Sequence, residues 1–234
     1  MPGYLLHLAA CKPALLENES FRKGVEAPDL LKKWVSKLGI NEARRKYSSW
    51  KEPGMPPSYC FFEERALAKD DDQKNGLHYG YSSNPDLTAF LDTLSKDDQD
   101  NPFWRGYFWH LVTDKIMYSW LNVGETYKQE LLKLMNAGHA REDVEKTEKK
   151  KLHDDWDRTN ELVREKFNIS MPLPPEIEEL NIVKFINDGQ PLTYISWDKV
   201  ELAIELLRAM NPLKEEMAVL SAWSDITVSM NFFE

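Results

Sequence analysis

The segment from Pro102 to Leu121 constrains the fold of this sequence more than any other. Asn101 and Pro102 form a favourable N-cap and first-position pair, so we expect a helix to begin here. Apolar side chains then recur at steps of three and four residues along two adjoining stripes. The first stripe contains Phe103, Tyr107, His110, Asp114, Met117 and Leu121, and the second contains Trp104, Phe108, Leu111 and Tyr118. The pattern predicts a largely buried helix at the centre of the protein.

Asp114 lies within the first apolar stripe, where an ionised carboxylate needs a partner because burying an unpaired charge is costly. His110 precedes it by one helical turn. Side chains at i and i+4 are about 5 to 6 Å apart at Cβ, close enough for both to reach one metal ion at about 2.0 to 2.2 Å. A direct histidine–aspartate hydrogen bond would satisfy the same pair, so the spacing alone leaves both interpretations open.

Any metal in this protein must use histidine, aspartate or glutamate ligands. Cys11 and Cys60 are the only cysteines, and they do not form a CxxC motif. A short helix is predicted at residues 2–12, with His7 on the same apolar face as Tyr4 and Cys11. On that face His7 is either a metal ligand or a core histidine that is satisfied by a hydrogen bond.

Asp29 and His78 are two further candidates. Residues 24–29, Gly-Val-Glu-Ala-Pro-Asp, predict a turn followed by a helix, so Asp29 is expected at the mouth of that helix, where a simple N-cap is the alternative role. His78 ends an irregular loop at residues 48–80, which includes a possible short strand at 59–63. Long loops in compact domains are often functional, although a loop histidine is by default a surface residue.

The rest of the chain predicts an all-α multi-helix bundle in a single domain, residues 1–234. Asn84-Pro85 is expected to cap a helix that extends to about Leu94. Asp188-Gly189 is a turn signal that indicates a small β-hairpin at residues 183–195, in the C-terminal third. Further helices are expected at residues 124–136, 140–167 and 197–211, and the second of these is long and highly charged.

The net charge of −9 argues against a surface that neutralises many phosphates, so we expect no long nucleic-acid partner. No apolar run approaches the roughly 20 residues of a transmembrane helix. Leu8-Ala-Ala-Cys11 is similar to a lipoprotein cleavage box, but no Lys or Arg precedes it and His7 interrupts the short apolar stretch. We therefore expect a cytoplasmic protein whose N-terminus is part of the fold.

Four elements occur in a recognisable order: Met1-Pro-Gly-Tyr-Leu-Leu-His7, then residues 24–29, then His78, then Trp109-His110-Leu-Val-Thr-Asp114. This series, which spans about the first 120 residues, resembles the bacterial zinc-dependent phospholipase C family, relatives of the P1-type nucleases. The resemblance implies an all-helical fold that holds up to three zinc ions through His, Asp and Glu ligands.

By the same resemblance, Asp29, His78, His110 and Asp114 would form one zinc site, and Asp114 would bridge to a second ion near His7. Asp29 matches the family aspartate that acts as general base or orients the attacking water. The family's further ligands could correspond to His139, His153 and Asp157, although a solvated helix face is the alternative for the last two.

A metal site of this kind would hydrolyse a small phosphate ester, because zinc polarises a phosphoryl oxygen and lowers the pKa of a bound water toward about 7. Tyr4, Tyr79 and Trp109 are expected to form an apolar substrate wall.

Two alternative functions stay open. One is a non-catalytic binding module with a structural or degenerate metal site, a role that the charged helix at 140–167 would suit. The other is an HD-type phosphohydrolase built on His153-Asp154.

Overall fold

The computed structural model describes residues 4–57, 76–81, 83–169 and 173–230 and has an all-α fold. Within these residues there are twelve helices and one two-stranded sheet. The helices are α1 (Tyr4–Ala9), α2 (Pro13–Leu16), α3 (Glu19–Leu38), α4 (Ile40–Trp50), α5 (Leu87–Leu91), α6 (Lys96–Asp100), α7 (Pro102–Leu121), α8 (Val123–Asn136), α9 (Arg141–Phe167), α10 (Pro175–Glu179), α11 (Trp197–Ala209) and α12 (Met217–Met230). Strands β1 (Gly80–Tyr81) and β2 (Asn84–Pro85) pair antiparallel.

Helix α7 is the centre of the fold, as its pattern predicts. Fourteen of its 20 residues are buried, and Asn101 caps it by accepting a hydrogen bond from the backbone N–H of Phe103 at 2.9 Å. The bounds of α9 likewise match the prediction to within one residue. No helix among the described residues combines the length and apolar character needed to cross a bilayer.

Two glycines bring the backbones of α3 and α7 into direct contact. A Cβ atom at Gly24 would lie 2.0 Å from the carbonyl oxygen of Phe103. A Cβ atom at Gly106 would lie 2.0 Å from the carbonyl oxygen of Phe21. Any larger residue at either position would push the two helices apart. The crossing therefore fixes how α3 and α7 present their side chains to each other.

The predicted turn at residues 24–29 is wrong, because α3 continues through it from Glu19 to Leu38. The helix is capped at Asn18, whose side chain accepts a hydrogen bond from the N–H of Phe21 at 3.0 Å. Gly24 allows α7 to pack closely against α3 and does not form a turn. Pro28 lies inside the helix, where it removes one backbone hydrogen bond. Asp29 is consequently a mid-helix residue and not an N-cap.

The boundaries near the predicted loop at residues 48–80 also differ. Residues 48–50 belong to α4, and the possible strand at 59–63 lies outside the described residues. Asn84 and Pro85 form β2 and do not begin a helix. The cap of α5 is Asp86, whose carboxylate accepts a hydrogen bond from the N–H of Ala89 at 2.9 Å.

The predicted hairpin at residues 183–195 is absent, since no residue of this described segment is in a strand. Side chains of α9 hold the segment instead. The Oδ2 atom of Asp155 accepts hydrogen bonds from the backbone N–H groups of Thr193 at 2.8 Å, Tyr194 at 2.6 Å and Ile195 at 3.3 Å. Asn160 donates to the carbonyl of Lys184 at 2.9 Å. A buried carboxylate thus replaces the partner strand that the pattern suggested.

Candidate metal centre

Five side chains from four parts of the chain converge at one buried place. They are His7 on α1, Asp29 on α3, His110 and Asp114 on α7, and His78 in the turn before β1. Asp29 is the most exposed of the five, and only 7% of its surface is accessible. All five were proposed as ligands from the sequence, and the fold brings all of them together.

The separations within this group are those of atoms that share a metal ion. The Nε2 atom of His78 is 3.6 Å from Asp29 Oδ1, 3.5 Å from Asp114 Oδ2 and 3.3 Å from His110 Nε2. The Nε2 atom of His110 is also 3.5 Å from Asp114 Oδ2. Charge-assisted hydrogen bonds are shorter, at about 2.7 to 2.9 Å. Ligands that surround a tetrahedral zinc ion at about 2.0 to 2.1 Å are separated by about 3.3 to 3.5 Å.

Asp114 faces two groups of donors with its two carboxylate oxygens. Oδ2 faces His78 and His110, whereas Oδ1 lies 3.5 Å from Nε2 of His7. The ring of His7 stacks on that of His110, with 3.7 Å between centroids and 12° between planes. Two sets of three donors could therefore hold an ion: His7, His110 and Asp114 in one set, and Asp29, His78 and His110 in the other.

The group contains polar atoms that nothing else in the described part of the chain satisfies. Neither oxygen of Asp114 and neither ring nitrogen of His7 has a hydrogen-bond partner there, although all four atoms are buried. Buried polar atoms are normally paired, and an unpaired buried carboxylate is strongly unfavourable. A metal cation between these donors would give the unpaired atoms a partner.

The backbone of α3 orients His110 for this role. Its Nδ1 atom lies 2.8 Å from the carbonyl oxygen of Val25, which can only accept, so Nδ1 carries the proton and Nε2 presents its lone pair to the centre. This contact depends on the close crossing of α3 and α7 at Gly24 and Gly106. The carbonyl of Val25 is a functional group that no side-chain pattern in the sequence indicates.

Burial and neighbouring charges hold His7 and Asp29 in ligand-competent forms. Burial, followed by the charge of His110, lowers the pKa of His7 to about 3, so this imidazole is neutral at pH 7. Burial raises the pKa of Asp29, but its interactions with the neighbouring imidazoles, His78 first, outweigh burial and bring it well below its ordinary value. Burial lowers the pKa of His110, but its interaction with Asp114 outweighs burial and raises it, so a metal ion at Nε2 would have to displace a proton. Neutral imidazole and ionised carboxylate are the forms that bind metals.

Tyr118 interacts electrostatically with Asp114 and Asp29, although its position in the second apolar stripe did not predict it as a site residue. It follows Asp114 by one turn on α7, and the spacing i,i+4 is the signal that could have revealed it. Burial raises the pKa of the Tyr118 phenol, and the charges of Asp114 and Asp29 raise it further. Tyr118 therefore remains a hydrogen-bond donor at neutral pH.

The second predicted set of ligands is not brought together. His139 follows α8 and is exposed, and His153 is exposed on α9. No set of three metal donors among the described residues includes His139, His153 or Asp157. Asp154, the partner of His153 in the HD interpretation, forms an ion pair with Lys150 at 2.5 Å. The solvated helix face, which was the alternative for His153 and Asp157, agrees with these positions.

The three aromatic residues expected to form a substrate wall occupy the core or its edge. Tyr4 is 3% exposed and Trp109 is fully buried. Tyr79 packs edge-on against Phe90, with 4.9 Å between ring centroids, and its hydroxyl lies 3.2 Å from Thr93 Oγ1. Tyr4 and Trp109 therefore have no face open to a substrate, whereas Tyr79 keeps part of its surface accessible.

Comparisons with protein-family models, with curated proteins and with solved structures found no match for this chain. The geometry of the five donors therefore carries the functional argument.

Proposed function

We propose that this protein is a zinc-dependent hydrolase of phosphate esters, similar in its chemistry to the bacterial phospholipases C. The observation that carries the proposal is Asp114, a buried carboxylate with no hydrogen-bond donor among the described residues and with three imidazoles at 3.5 Å from its oxygens. Histidine and carboxylate donors suit zinc, and they also accept iron or manganese. Metal quantitation identifies the ion.

The principal ion would be held by Asp29, His78, His110 and Asp114. When bound, zinc would polarise a phosphoryl oxygen and lower the pKa of a coordinated water. Asp29, the most accessible of the four, would accept the proton of that water and orient it toward phosphorus. His7 and Oδ1 of Asp114 supply donors for a second ion. The net charge of −9 does not oppose an anionic substrate here, because bound cations set the local field.

The test combines metal quantitation with hydrolysis of bis-p-nitrophenyl phosphate, using protein purified without added metal. We expect about one zinc ion or more per chain, and activity that a chelator abolishes and zinc restores. The Asp114→Asn and His110→Ala variants should lose both the metal and the activity. His139→Ala, at an exposed histidine, is the matched control and should retain both. Unchanged metal content in both site variants would refute the centre.

A structural metal site in a non-catalytic binding module is the second candidate. Burial favours it, because no donor is more than 7% exposed and structural zinc sites are closed. Hydrolysis assays on the zinc-loaded protein distinguish the catalytic role from the structural role. Zinc that is retained and stabilises the fold, with no hydrolysis of bis-p-nitrophenyl phosphate or of p-nitrophenyl phosphate, would select the structural role.

A further inference from the structure

A cavity of about 550 Å³ lies between the N-terminal helices α1–α3, the end of α9 and helices α10 and α11. None of the five metal donors lines it. Its volume falls within the range of about 300 to 1,000 Å³ that is typical of small-molecule sites. Its walls are mainly apolar and include Leu8, Leu16, Phe167, Ile169 and Leu173.

Arg208 is fixed in the wall of this cavity. Its Nε atom donates to the carbonyl oxygen of Ala9 at 2.5 Å, and its guanidinium carbon lies 4.5 Å from the ring centroid of Phe167. No carboxylate among the described residues lies within ion-pair distance of Arg208. Within the described residues Nε is the only Arg208 nitrogen with a hydrogen-bond acceptor, so its two terminal nitrogens keep their donors for a ligand, in a side chain that is already ordered. An ordered guanidinium loses little conformational entropy when it binds a planar anion.

The other charged groups around the cavity largely cancel. Arg22 forms an ion pair with the fully buried Glu26 at 2.8 Å. Glu176 is half-buried in the wall. Arg22 is already compensated by Glu26, whereas Arg208 has no carboxylate partner among the described residues, so the lining offers one uncompensated guanidinium to a ligand with a single negative charge. A guanidinium with free Nη donors selects a carboxylate in this setting.

We propose that this cavity binds a monocarboxylate with an apolar body, such as a medium-chain fatty acid. The carboxylate would accept hydrogen bonds from the terminal nitrogens of Arg208. The body would lie against Leu8, Leu16 and Ile169. This second ligand site does not depend on the proposed phosphoesterase activity.

Decanoate is the probe, titrated by calorimetry below its micelle concentration into the metal-loaded protein. We expect saturable binding, with decanol and decyl phosphate each weaker than decanoate. Arg208→Gln should weaken decanoate binding by about tenfold or more, since a charge-assisted hydrogen-bond pair is lost. The matched control is Arg164→Gln, which removes another guanidinium that lies over a phenylalanine ring, that of Phe185, outside this cavity.

Leu16→Trp tests the site without touching Arg208, because the larger side chain fills the cavity. It should abolish decanoate binding, and thermal unfolding should show that both variants remain folded. Decanol binding as tightly as decanoate, decyl phosphate binding more tightly, or unchanged affinity in Arg208→Gln or Leu16→Trp would each overturn the proposal. Loss of decanoate binding on metal removal, in protein that thermal unfolding shows to remain folded, would also overturn it, because the carboxylate would then be a metal ligand.

Discussion

Asp114 and Asp155 are both aspartates in the middle of a long helix, and both are at most 1% exposed, yet the groups that face their carboxylates differ. Asp155 receives three backbone N–H groups on one oxygen and faces Arg158 at 3.5 Å with the other. Asp114 receives no hydrogen bond from the described residues and faces imidazoles at 3.5 Å. Peptide dipoles and an arginine already compensate the first charge. We propose that a metal cation compensates the second charge, and this difference would distinguish a structural carboxylate from a metal ligand.

Metal removal should change the free energy of unfolding more than any substitution discussed below. At a free zinc concentration about 1,000-fold above the dissociation constant, binding stabilises the native state by about 4 kcal/mol. We expect chelation to lower the free energy of unfolding of the wild type by about that amount. Asp114→Asn should show no such dependence, whereas Asp155→Asn should keep it. Urea unfolding with and without zinc measures all three, and a zinc effect that survives in Asp114→Asn would show that Asp114 is not a ligand.

Asp155→Asn should destabilise the protein by about 3 kcal/mol, because hydrogen bonds to a charged acceptor contribute about 1.5 to 3 kcal/mol each and the amide keeps only part of them. Its zinc content should not change. The same substitution at Asp114 should leave the metal-free protein as stable as the wild type or more stable, since it removes an uncompensated charge. Equal destabilisation of the two metal-free variants would contradict the contrast between the two aspartates.

Gly106→Ala tests the helix crossing that supports the metal centre. The new methyl group would collide with the carbonyl of Phe21, so we expect a loss of about 2 kcal/mol in stability and weaker zinc binding as Val25 moves away from His110. Gly124→Ala is the matched control in α8, where a Cβ atom meets nothing within 4 Å, and it should be neutral or slightly stabilising. If zinc affinity is unchanged in Gly106→Ala, the crossing of α3 and α7 does not position the metal ligands.

His7 should make the metal-free protein sensitive to acid. Its pKa is about 3 in the fold and 6.5 when unperturbed, so between these values the unfolded chain binds a proton that the folded chain does not. Stability due to His7 is complete above pH 6.5 and falls as the pH decreases toward 3, by up to about 1.4 kcal/mol per pH unit. His7→Gln should therefore flatten the decline in unfolding free energy between pH 6.5 and 4.5. The exposed His139→Gln control should follow the wild type.

Helix positions and candidate ligands could be predicted from the sequence where the relevant signal is local. The 3.6-residue periodicity of Pro102–Leu121 predicted α7 with its observed bounds, and the Glu–Lys pattern predicted α9. The placement of Asp114 among apolar neighbours identified it as a residue in need of a partner. The order of His7, Asp29, His78 and His110 along the chain supplied the other candidates.

What only the tertiary structure decided depends on residues far apart in the chain. Gly24 and Pro28 have the local preferences of a turn, yet the contact with α7 keeps them in a helix, and the same contact brings the Val25 carbonyl to His110. Asp155 holds the segment that local pattern assigned to a hairpin. The sequence by itself therefore determined the all-α class, helices α7 and α9, and five candidate donors that the fold brings together. The fold decided which buried charge is compensated, because compensation depends on donors that packing brings to each carboxylate.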